Sequence, residues 1–221
     1  MIDRVWYACY GSNLNYDRFK LYIKGGVLEN SGKLYHGCRD KTLPERMEKY
    51  TIHHELYFSG ESPTWKNLGV AFINTKEDPS IDTLSKIYLI SIEQFEDVLL
   101  QENGKDPRKE KVSIDYDSLL QEKEYLTGSI DENRWYGRIL HIGYHHEIPI
   151  FTFTAKWDYE GIWFNPPSDD YLITIIKGLI ETHDPSNDEL MNYFRTKKGM
   201  IERYDDGDLL DFISSARDRK G

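Results

Sequence analysis

Cysteine, long apolar runs and a secretory leader are scarce or missing in this sequence of 221 residues. Its two cysteines, Cys9 and Cys38, do not have the spacing of a metal-binding or redox pair. No apolar stretch approaches the roughly 20 residues that span a bilayer, and the N-terminus lacks the basic-then-apolar pattern of a secretory signal. We therefore expect a cytoplasmic protein without a membrane partner.

Basic side chains are also in the minority. The chain has 28 lysines and arginines against 38 aspartates and glutamates, which gives a formal net charge of -10. Binding to a nucleic acid normally requires a concentrated basic surface. The short basic stretches at 105–111 and 195–198 are mixed with acids, as on a solvated face. We therefore expect no nucleic-acid partner.

The pattern of predicted strands indicates the fold class. Strand candidates lie at 5–10, 51–58, 68–74, 87–91, 135–144 and 148–157. Turns or helices separate them, rather than regular alternation of strand and helix, and no segment resembles a linker. The sequence therefore predicts one α+β domain with a mixed sheet or barrel.

A glycine turn follows the first strand. The segment 5–10 is rich in β-branched and aromatic residues, and Gly11 permits a bend that other residues resist. A helical pattern begins after Asn15, so the turn lies just before a helix N-terminus, where backbone N–H groups and the helix dipole favour an anion. Glycine and asparagine are equally common in turns that bind nothing, and a plain turn remains the alternative.

A second candidate segment is a helix with clear boundaries. Ser91 and Gln94 form a capping-box pattern, and the pair 103–104, Asn-Gly, predicts the end of the helix. Glu102 follows the apolar positions of this helix at helical spacing, and Glu93 and Asp97 are predicted to lie on the solvent face. The helix therefore presents Glu102 on its apolar side.

The position of Glu102 suggests a role in proton transfer. Apolar surroundings and the negative end of the helix dipole both disfavour the charged form of a carboxylate. A carboxyl group in such a place is a candidate to accept and return a proton near neutral pH. The alternative is that Glu102 lies at the frayed rim of the helix and reaches water.

Other potential sites are less convincing. Cys9 lies within a predicted strand, as a small buried apolar residue would. The histidine pairs at 53–54 and 145–146 also lie in predicted strands, so their side chains should point to opposite faces and not share a metal ion. Ser12 lacks the second glycine of a nucleophile elbow. The sequence therefore predicts no metal site.

The glycine turn carries a family resemblance. The run 10–14, Tyr-Gly-Ser-Asn-Leu, resembles the signature loop of the γ-glutamylcyclotransferase-like family, whose main-chain amides hold the γ-glutamyl part of the substrate. The resemblance implies a mixed sheet closing into a small barrel with flanking helices. It also implies a substrate-binding role for five residues: Tyr10, Gly11, Ser12, Asn13 and Leu14.

The capped helix is similar to another segment of that family. A strand at 87–90 followed by Leu99 and Glu102 resembles the family segment that supplies the catalytic glutamate. The resemblance implies that Glu102 is the catalytic residue. In this chain Asn103 separates Glu102 from Gly104, which departs from the family pattern.

Three further features complete the resemblance. Trp65 lies in a predicted hairpin loop that resembles the border of the family's cleft, where it either covers a pocket or anchors the loop. Ser168 is predicted to cap a helix that resembles the family's last helix, and Phe153 stands where relatives often carry a tyrosine. The predicted domain covers 1–198. Residues 199–221 extend past it as a predicted short helix and tail.

The resemblance implies an intramolecular reaction. The α-amine of a γ-glutamyl group attacks its own γ-carbonyl, which forms 5-oxoproline and releases an amine, without a metal or nucleotide cofactor. The implied partner is a small γ-glutamyl amine or γ-glutamyl amino acid. Because Asn103 and Phe153 depart from the pattern, a noncatalytic module that binds small carboxylates or other anions remains the alternative. A phosphate-ester enzyme fits less well, since no Walker lysine follows the glycine.

Overall fold

Strands and helices alternate irregularly along the chain. The computed structural model describes residues 2–28, 32–128, 135–200 and 203–218. The strands are β1 (Arg4–Cys9), β2 (Gly26–Leu28), β3 (Lys33–Tyr35), β4 (Met47–Ile52), β5 (His54–Ser62), β6 (Leu68–Glu77), β7 (Thr83–Ser91), β8 (Glu124–Leu126), β9 (Tyr136–His145) and β10 (Ile148–Ala155). The helices are α1 (Tyr16–Lys24), α2 (Ile92–Glu102), α3 (Tyr116–Glu122), α4 (Asp169–His183), α5 (Asn187–Arg195) and α6 (Asp206–Asp218). The α+β class is confirmed.

The chain forms two compact units. The first contains Met1–Ala8, Asp17–Tyr50 and Ile87–Asp158, and the second contains Cys9–Tyr16, Thr51–Lys86 and Tyr159–Gly221. The single domain over 1–198 stays a prediction. Within the described ranges, no helix is both long and apolar enough to cross a membrane.

A mixed sheet organises the first unit. Its strand order is β4-β7-β1-β10-β9-β8. Strand β1 runs parallel to β10, with Trp6 opposite Ile150, whereas β10 pairs with β9 and β9 with β8 in antiparallel fashion. The mixed sheet is therefore confirmed. The order has two ends among the described residues, so closure into a barrel stays a prediction.

Aromatic side chains fill the core of the first unit. Tyr7 of β1 stacks on Phe153 of β10, with ring centroids 5.1 Å apart, and Phe95 of α2 lies 5.8 Å from the same ring. All three side chains are buried. Phe153 therefore packs as an apolar core residue, which accounts for the absence of a hydroxyl at this position.

Helix α2 has the predicted start. The Ser91 side chain accepts a hydrogen bond from the backbone N–H of Gln94, and the Gln94 side chain accepts one from the N–H of Ser91. The prediction for Asp97 was wrong, because this carboxylate is fully buried. It accepts hydrogen bonds of 2.7 Å from the backbone N–H and from the guanidinium of Arg39. The preceding loop covers the face that we expected to meet solvent.

A hairpin and three helices form most of the second unit. The predicted strand at 51–58 is interrupted at His53, so that β4 ends at Ile52 and β5 begins at His54. Strands β5 and β6 pair in antiparallel fashion. The Phe58 N–H of β5 donates to the carbonyl of Lys198, at 3.0 Å, and the Phe58 carbonyl accepts from the N–H of Asn165, at 3.1 Å. Later segments thus extend the hydrogen bonding of the hairpin.

Helix α4 packs closely against the glycine turn. Ser168 caps α4 as predicted, because its hydroxyl accepts from the N–H of Tyr171. Residues 12–14 form a short 3-10 turn that contacts this helix. Gly178 faces the turn so closely that an added Cβ would lie 2.3 Å from the Leu14 carbonyl carbon. A side chain at position 178 therefore conflicts with backbone atoms.

We expect Gly178→Ala to destabilise the protein. Replacing glycine by alanine inside a helix normally stabilises it by about 1 kcal/mol. Here the new methyl would also meet the Asn15 nitrogen at 2.4 Å, and overpacking of this kind costs about 2 kcal/mol or more. Urea unfolding measures the difference. The matched change Gly207→Ala in α6, where the added Cβ meets no backbone atom from outside the helix within 4 Å, should leave the protein as stable as wild type or up to about 1 kcal/mol more stable. A Gly178→Ala protein as stable as wild type contradicts this packing.

Candidate functional site

The predicted substrate loop lies in the second unit and is mostly buried. Four of its members are buried, and Gly11 is half-buried. The Leu14 N–H donates to the Gly11 carbonyl at 3.0 Å, and the Asn15 N–H donates to the Ser12 carbonyl at 3.2 Å. Because these two amides are bonded within the turn, an anion would be held by earlier amides of the loop.

Tyr171 of α4 fixes the loop against β6. Its hydroxyl accepts a hydrogen bond of 3.1 Å from the Ala71 N–H. A Cβ added to Gly11 would lie 2.9 Å from the same hydroxyl oxygen. Trp65 packs on Tyr171, with ring centroids 4.9 Å apart, which favours the interpretation of Trp65 as an anchor. The sequence placed Tyr171 at a helix start but gave no sign of this contact.

Glu102 is the last residue of α2, belongs to the first unit and is half-buried. The Tyr22 hydroxyl donates a hydrogen bond to its carboxylate. Arg18, one helical turn before Tyr22 in α1, interacts electrostatically with the same carboxylate. Glu102 is therefore held by two buried groups of α1 and is not a frayed, purely solvated side chain.

The cation beside Glu102 is enclosed by aromatic rings. The Arg18 guanidinium carbon lies 4.9 Å from the ring centroid of Tyr22 and 4.5 Å from that of Tyr35. One guanidinium nitrogen donates to the Tyr35 hydroxyl at 2.6 Å and to the Tyr22 hydroxyl at 3.3 Å. A buried guanidinium needs such partners, because its desolvation is costly. Sequence patterns did not identify Arg18, Tyr22 or Tyr35 as site residues.

Burial and neighbouring groups together determine the protonation states of Tyr22 and Arg18. Burial raises the pKa of Tyr22 well above its ordinary value; Arg18 opposes this effect and Glu102 adds to it. Burial lowers the pKa of Arg18, but Tyr22, Tyr35 and Glu102 outweigh it, so that this pKa is raised. At neutral pH Tyr22 is therefore a phenol donor and Arg18 a cation.

Asn103 anchors the end of α2 to the sheet. Its side-chain amide donates to the Tyr136 carbonyl at 2.8 Å, and its side-chain oxygen accepts from the Tyr136 N–H at 3.2 Å. Gly104 then takes a left-handed conformation, with φ of 70°, and the N–H groups of 104 and 105 close the helix end. The departure from the family pattern therefore gives an ordered helix end directly after Glu102.

The remaining candidates are the two cysteines and the histidine pair at 145–146. Cys9 and Cys38 are buried, and the Cys9 thiol donates to the Lys86 carbonyl at 3.4 Å. Burial raises the pKa of Cys38, which makes it a poor nucleophile. The prediction that 145–146 lie within one strand was wrong, because β9 ends at His145 and His146 lies in a turn.

The two parts of the predicted site lie in different units. The loop residues belong to the second unit, where α4 and β6 position them. Glu102 belongs to the first, where Arg18, Tyr22 and Asn103 surround or anchor its end of α2. Each part is well defined within its unit.

Comparison of the chain with the models of known protein families finds no match. The chain is 36% identical over 204 residues to histone deacetylase 5 of Arabidopsis thaliana, a match that covers 86% of this chain. The chain spans 30% of that relative's length, and the relative's name describes the whole of that longer protein.

Two solved structures are similar over most of their length. One is a gamma-glutamyl cyclotransferase, with a TM-score of 0.46, and the other an uncharacterized human protein, with a TM-score of 0.49. Each is 14% identical to this chain, and each match covers 96% of this chain and 99% of the other. Because these scores do not establish a shared fold, the function proposed below relies on the residues of this chain.

We expect Glu102→Gln to destabilise the first unit. The change leaves the buried Arg18 guanidinium without its neighbouring negative charge, which should cost about 2 kcal/mol for this half-buried carboxylate. Chemical unfolding at neutral pH measures this cost. Glu93→Gln is the matched control, because Glu93 is an exposed residue of the same helix and its pair with Arg39 contributes little. Equal stability of the two variants would exclude a counter-charge role for Glu102.

Proposed function

We propose that this protein is a γ-glutamylcyclotransferase-like enzyme. It would cyclise the γ-glutamyl group of a γ-glutamyl amine or γ-glutamyl amino acid to 5-oxoproline and release the amine. The observation that carries the proposal is the half-buried carboxylate of Glu102, hydrogen-bonded by Tyr22 beside the Arg18 cation. The Tyr-Gly-Ser-Asn-Leu loop at 10–14 supplies the resemblance on which the substrate class rests.

Glu102 would act as general base and then as general acid. Its carboxylate takes a proton from the α-ammonium group of the substrate, and the resulting amine attacks the γ-carbonyl carbon. A new C–N bond closes the five-membered lactam, while the bond to the leaving nitrogen breaks and that nitrogen receives the proton from Glu102. The attacking nitrogen gives up its second proton as the lactam forms, and the released amine takes it up and leaves as an ammonium ion. Since both reacting groups belong to one molecule, holding the folded conformation supplies much of the rate enhancement.

Arg18 and Tyr22 would prepare the carboxylate for this role. Arg18 places a buried positive charge beside the carboxylate. The Tyr22 hydroxyl binds the carboxylate and limits its rotation. Both side chains reach Glu102 from the same helix, so they act on it together. We assign them positioning roles and keep the proton transfer for Glu102.

The loop would bind the charged part of the substrate. Its early backbone amides, those of Gly11 and Ser12, are candidates to hold the α-carboxylate or the developing oxyanion. The hydrogen bonds of the 3-10 turn and the close approach of the Tyr171 hydroxyl to Gly11 support the loop backbone. We assign Tyr10, Gly11, Ser12, Asn13 and Leu14 to substrate binding. No step of this reaction calls for a metal ion or nucleotide.

The proposal extends to fold and location. We propose a γ-glutamylcyclotransferase-like domain over 1–198 in which the mixed sheet closes into a small barrel with flanking helices. The parallel pairing of β1 with β10 supports a mixed sheet of that kind. We further propose a cytoplasmic protein without nucleic-acid or membrane partners, in keeping with its net charge of -10.

The activity is tested with a panel of γ-glutamyl amines and γ-glutamyl amino acids. We expect 5-oxoproline from at least one member, and at least about 100-fold less from Glu102→Gln, because the general base is lost. Glu93→Gln should retain wild-type activity. Folded fractions are measured in parallel, so that loss of chemistry is distinguished from loss of structure. No product from any member above the Glu102→Gln background would contradict the proposal.

The loop is tested through its contact with Tyr171. In Gly11→Ala the new methyl meets the Tyr171 hydroxyl, so we expect KM to rise about tenfold for the best substrate while kcat changes less. Adding Tyr171→Phe removes that oxygen and should restore part of the affinity. Gly128→Ala is the control, because nothing lies within 4 Å of its added Cβ. An unchanged KM in Gly11→Ala would contradict the substrate-binding role of the loop.

A noncatalytic binding module is the second candidate. Phe153 favours the binding module, because it stands where relatives often carry a tyrosine. Its buried ring has no hydroxyl to offer a substrate. Calorimetry with the same panel distinguishes the two functions. Binding that persists in Glu102→Gln, without 5-oxoproline after long incubation, supports the module. Product formation by wild type excludes it.

A further inference from the structure

A tight turn brings two adjacent histidines to one side. Strand β9 ends at His145 and β10 begins at Ile148, and the two residues between them have positive φ values of 49° and 64°. Two-residue hairpin turns of this kind follow the twist of the strands. Because His146 lies in the turn, the alternation of strand side chains does not apply to it. The two imidazole centroids are 4.2 Å apart.

A carboxylate from another strand joins the histidines. The Glu48 Oε2 atom of β4 lies 2.9 Å from the His145 Nε2 atom. One ligand atom each from Glu48, His145 and His146 lies within 4.8 Å of the others. Glu48 and His145 are half-buried, and His146 is exposed. Two imidazoles and a carboxylate therefore converge at a place that solvent can reach.

The position of His145 is fixed by its neighbours. The Trp6 Nε1 atom donates to the His145 backbone carbonyl at 3.0 Å. The Trp6 ring also meets the His145 ring edge-on, with centroids 5.2 Å apart. These contacts orient the imidazole before any ligand binds, which lowers the entropic cost of binding.

Arg46 places a cation against the cluster. Its guanidinium is paired with Glu48 and lies 3.4 Å from the His146 Nε2 atom. An arginine N–H can only donate, so this imidazole nitrogen accepts and presents a lone pair, as a metal ligand must. The Arg46 side chain is 50% exposed, and it can swing into solvent without opening the core.

We propose that Glu48, His145 and His146 bind a divalent transition-metal ion, with Zn²⁺ as the ion that fits best, and that Arg46 competes with it. Zinc is bound by imidazole and carboxylate groups in tetrahedral sites, whose ligand atoms lie about 3.4 Å apart. The spacing of 2.9 Å between His145 and Glu48 needs only a small adjustment to reach that value. Hard cations such as Mg²⁺ prefer oxygen ligands and fit poorly.

The three ligands leave one tetrahedral position open. Structural zinc sites are normally closed by four protein ligands, whereas three ligands leave room for water or a small anion. We therefore infer a site that exchanges an outer ligand with solvent. This site uses neither Glu102 nor any residue of the loop at 10–14, and it does not depend on the proposed cyclotransferase activity.

The proposal is tested by titrating the chelator-treated protein with ZnCl₂ in an isothermal titration calorimeter. We expect one saturable site with an affinity in the micromolar range or tighter. His146→Gly removes a ligand and tolerates the positive φ, so it should weaken binding at least about tenfold without unfolding the protein. Arg46→Gln removes the competing cation and should tighten binding several-fold.

The other histidine pair provides the control. His53→Ala removes an exposed imidazole whose neighbour, His54, is buried and bonded to the Asn74 carbonyl, so zinc binding should not change. The proposal is overturned if wild type shows no saturable zinc binding, or if His146→Gly binds as tightly as wild type. If Arg46→Gln binds zinc more weakly than wild type, Arg46 does not compete with the metal ion. Circular dichroism of each variant confirms that the fold is retained.

Discussion

The need to satisfy buried polar groups on helix α2 organises the first unit. Four polar side chains of this helix or its cap are buried: Gln94, Asp97, Gln101 and Asn103. The loop at 37–42 supplies partners for the first three, and β9 supplies the backbone of Tyr136 for the last. Gln101 also donates to the Tyr22 carbonyl at 2.9 Å, which ties α1 to α2. Each lost partner would cost about 1–3 kcal/mol, so the loop, α1 and β9 have little freedom around α2.

This arrangement also determines the surroundings of Glu102. Once Gln101 holds the backbone of Tyr22, the Tyr22 hydroxyl and the Arg18 guanidinium are brought to the carboxylate that follows Gln101 in sequence. Asn103 fixes the other side of Glu102 through the sheet. A residue at the end of a helix would ordinarily fray. Here the residues before and after it are both bonded to other elements, which gives it a defined position.

The sequence predicted what local rules determine and missed what distant segments supply. The limits of α2 and the cap at Ser168 follow from short-range hydrogen bonds, and both are confirmed. Burial of Asp97 depends on a loop about 58 positions away, which helical periodicity cannot reveal. Strands of three residues, such as β2 and β8, are too short to show alternation. His146 was misplaced because the turn occupies two residues without glycine, asparagine or proline.

The loop at 10–14 and Glu102 were selected by resemblance, but Arg18 and Tyr22 needed three-dimensional contacts.

Glu102 can serve as a counter-charge for Arg18 or as a general base, and the two roles place different requirements on its surroundings. As the counter-charge of a buried arginine it would be needed in an enzyme and in a binding module alike. Its presence therefore does not by itself indicate catalysis. The hydrogen bond from Tyr22 is more informative, because Arg18 already has the Tyr22 and Tyr35 hydroxyls as neutral acceptors. A counter-charge alone requires proximity to Arg18, whereas a general base also requires a fixed direction for its lone pairs. The orientation of Glu102 by a phenol that burial keeps protonated meets this second requirement, and it is the feature that favours chemistry over simple charge balance.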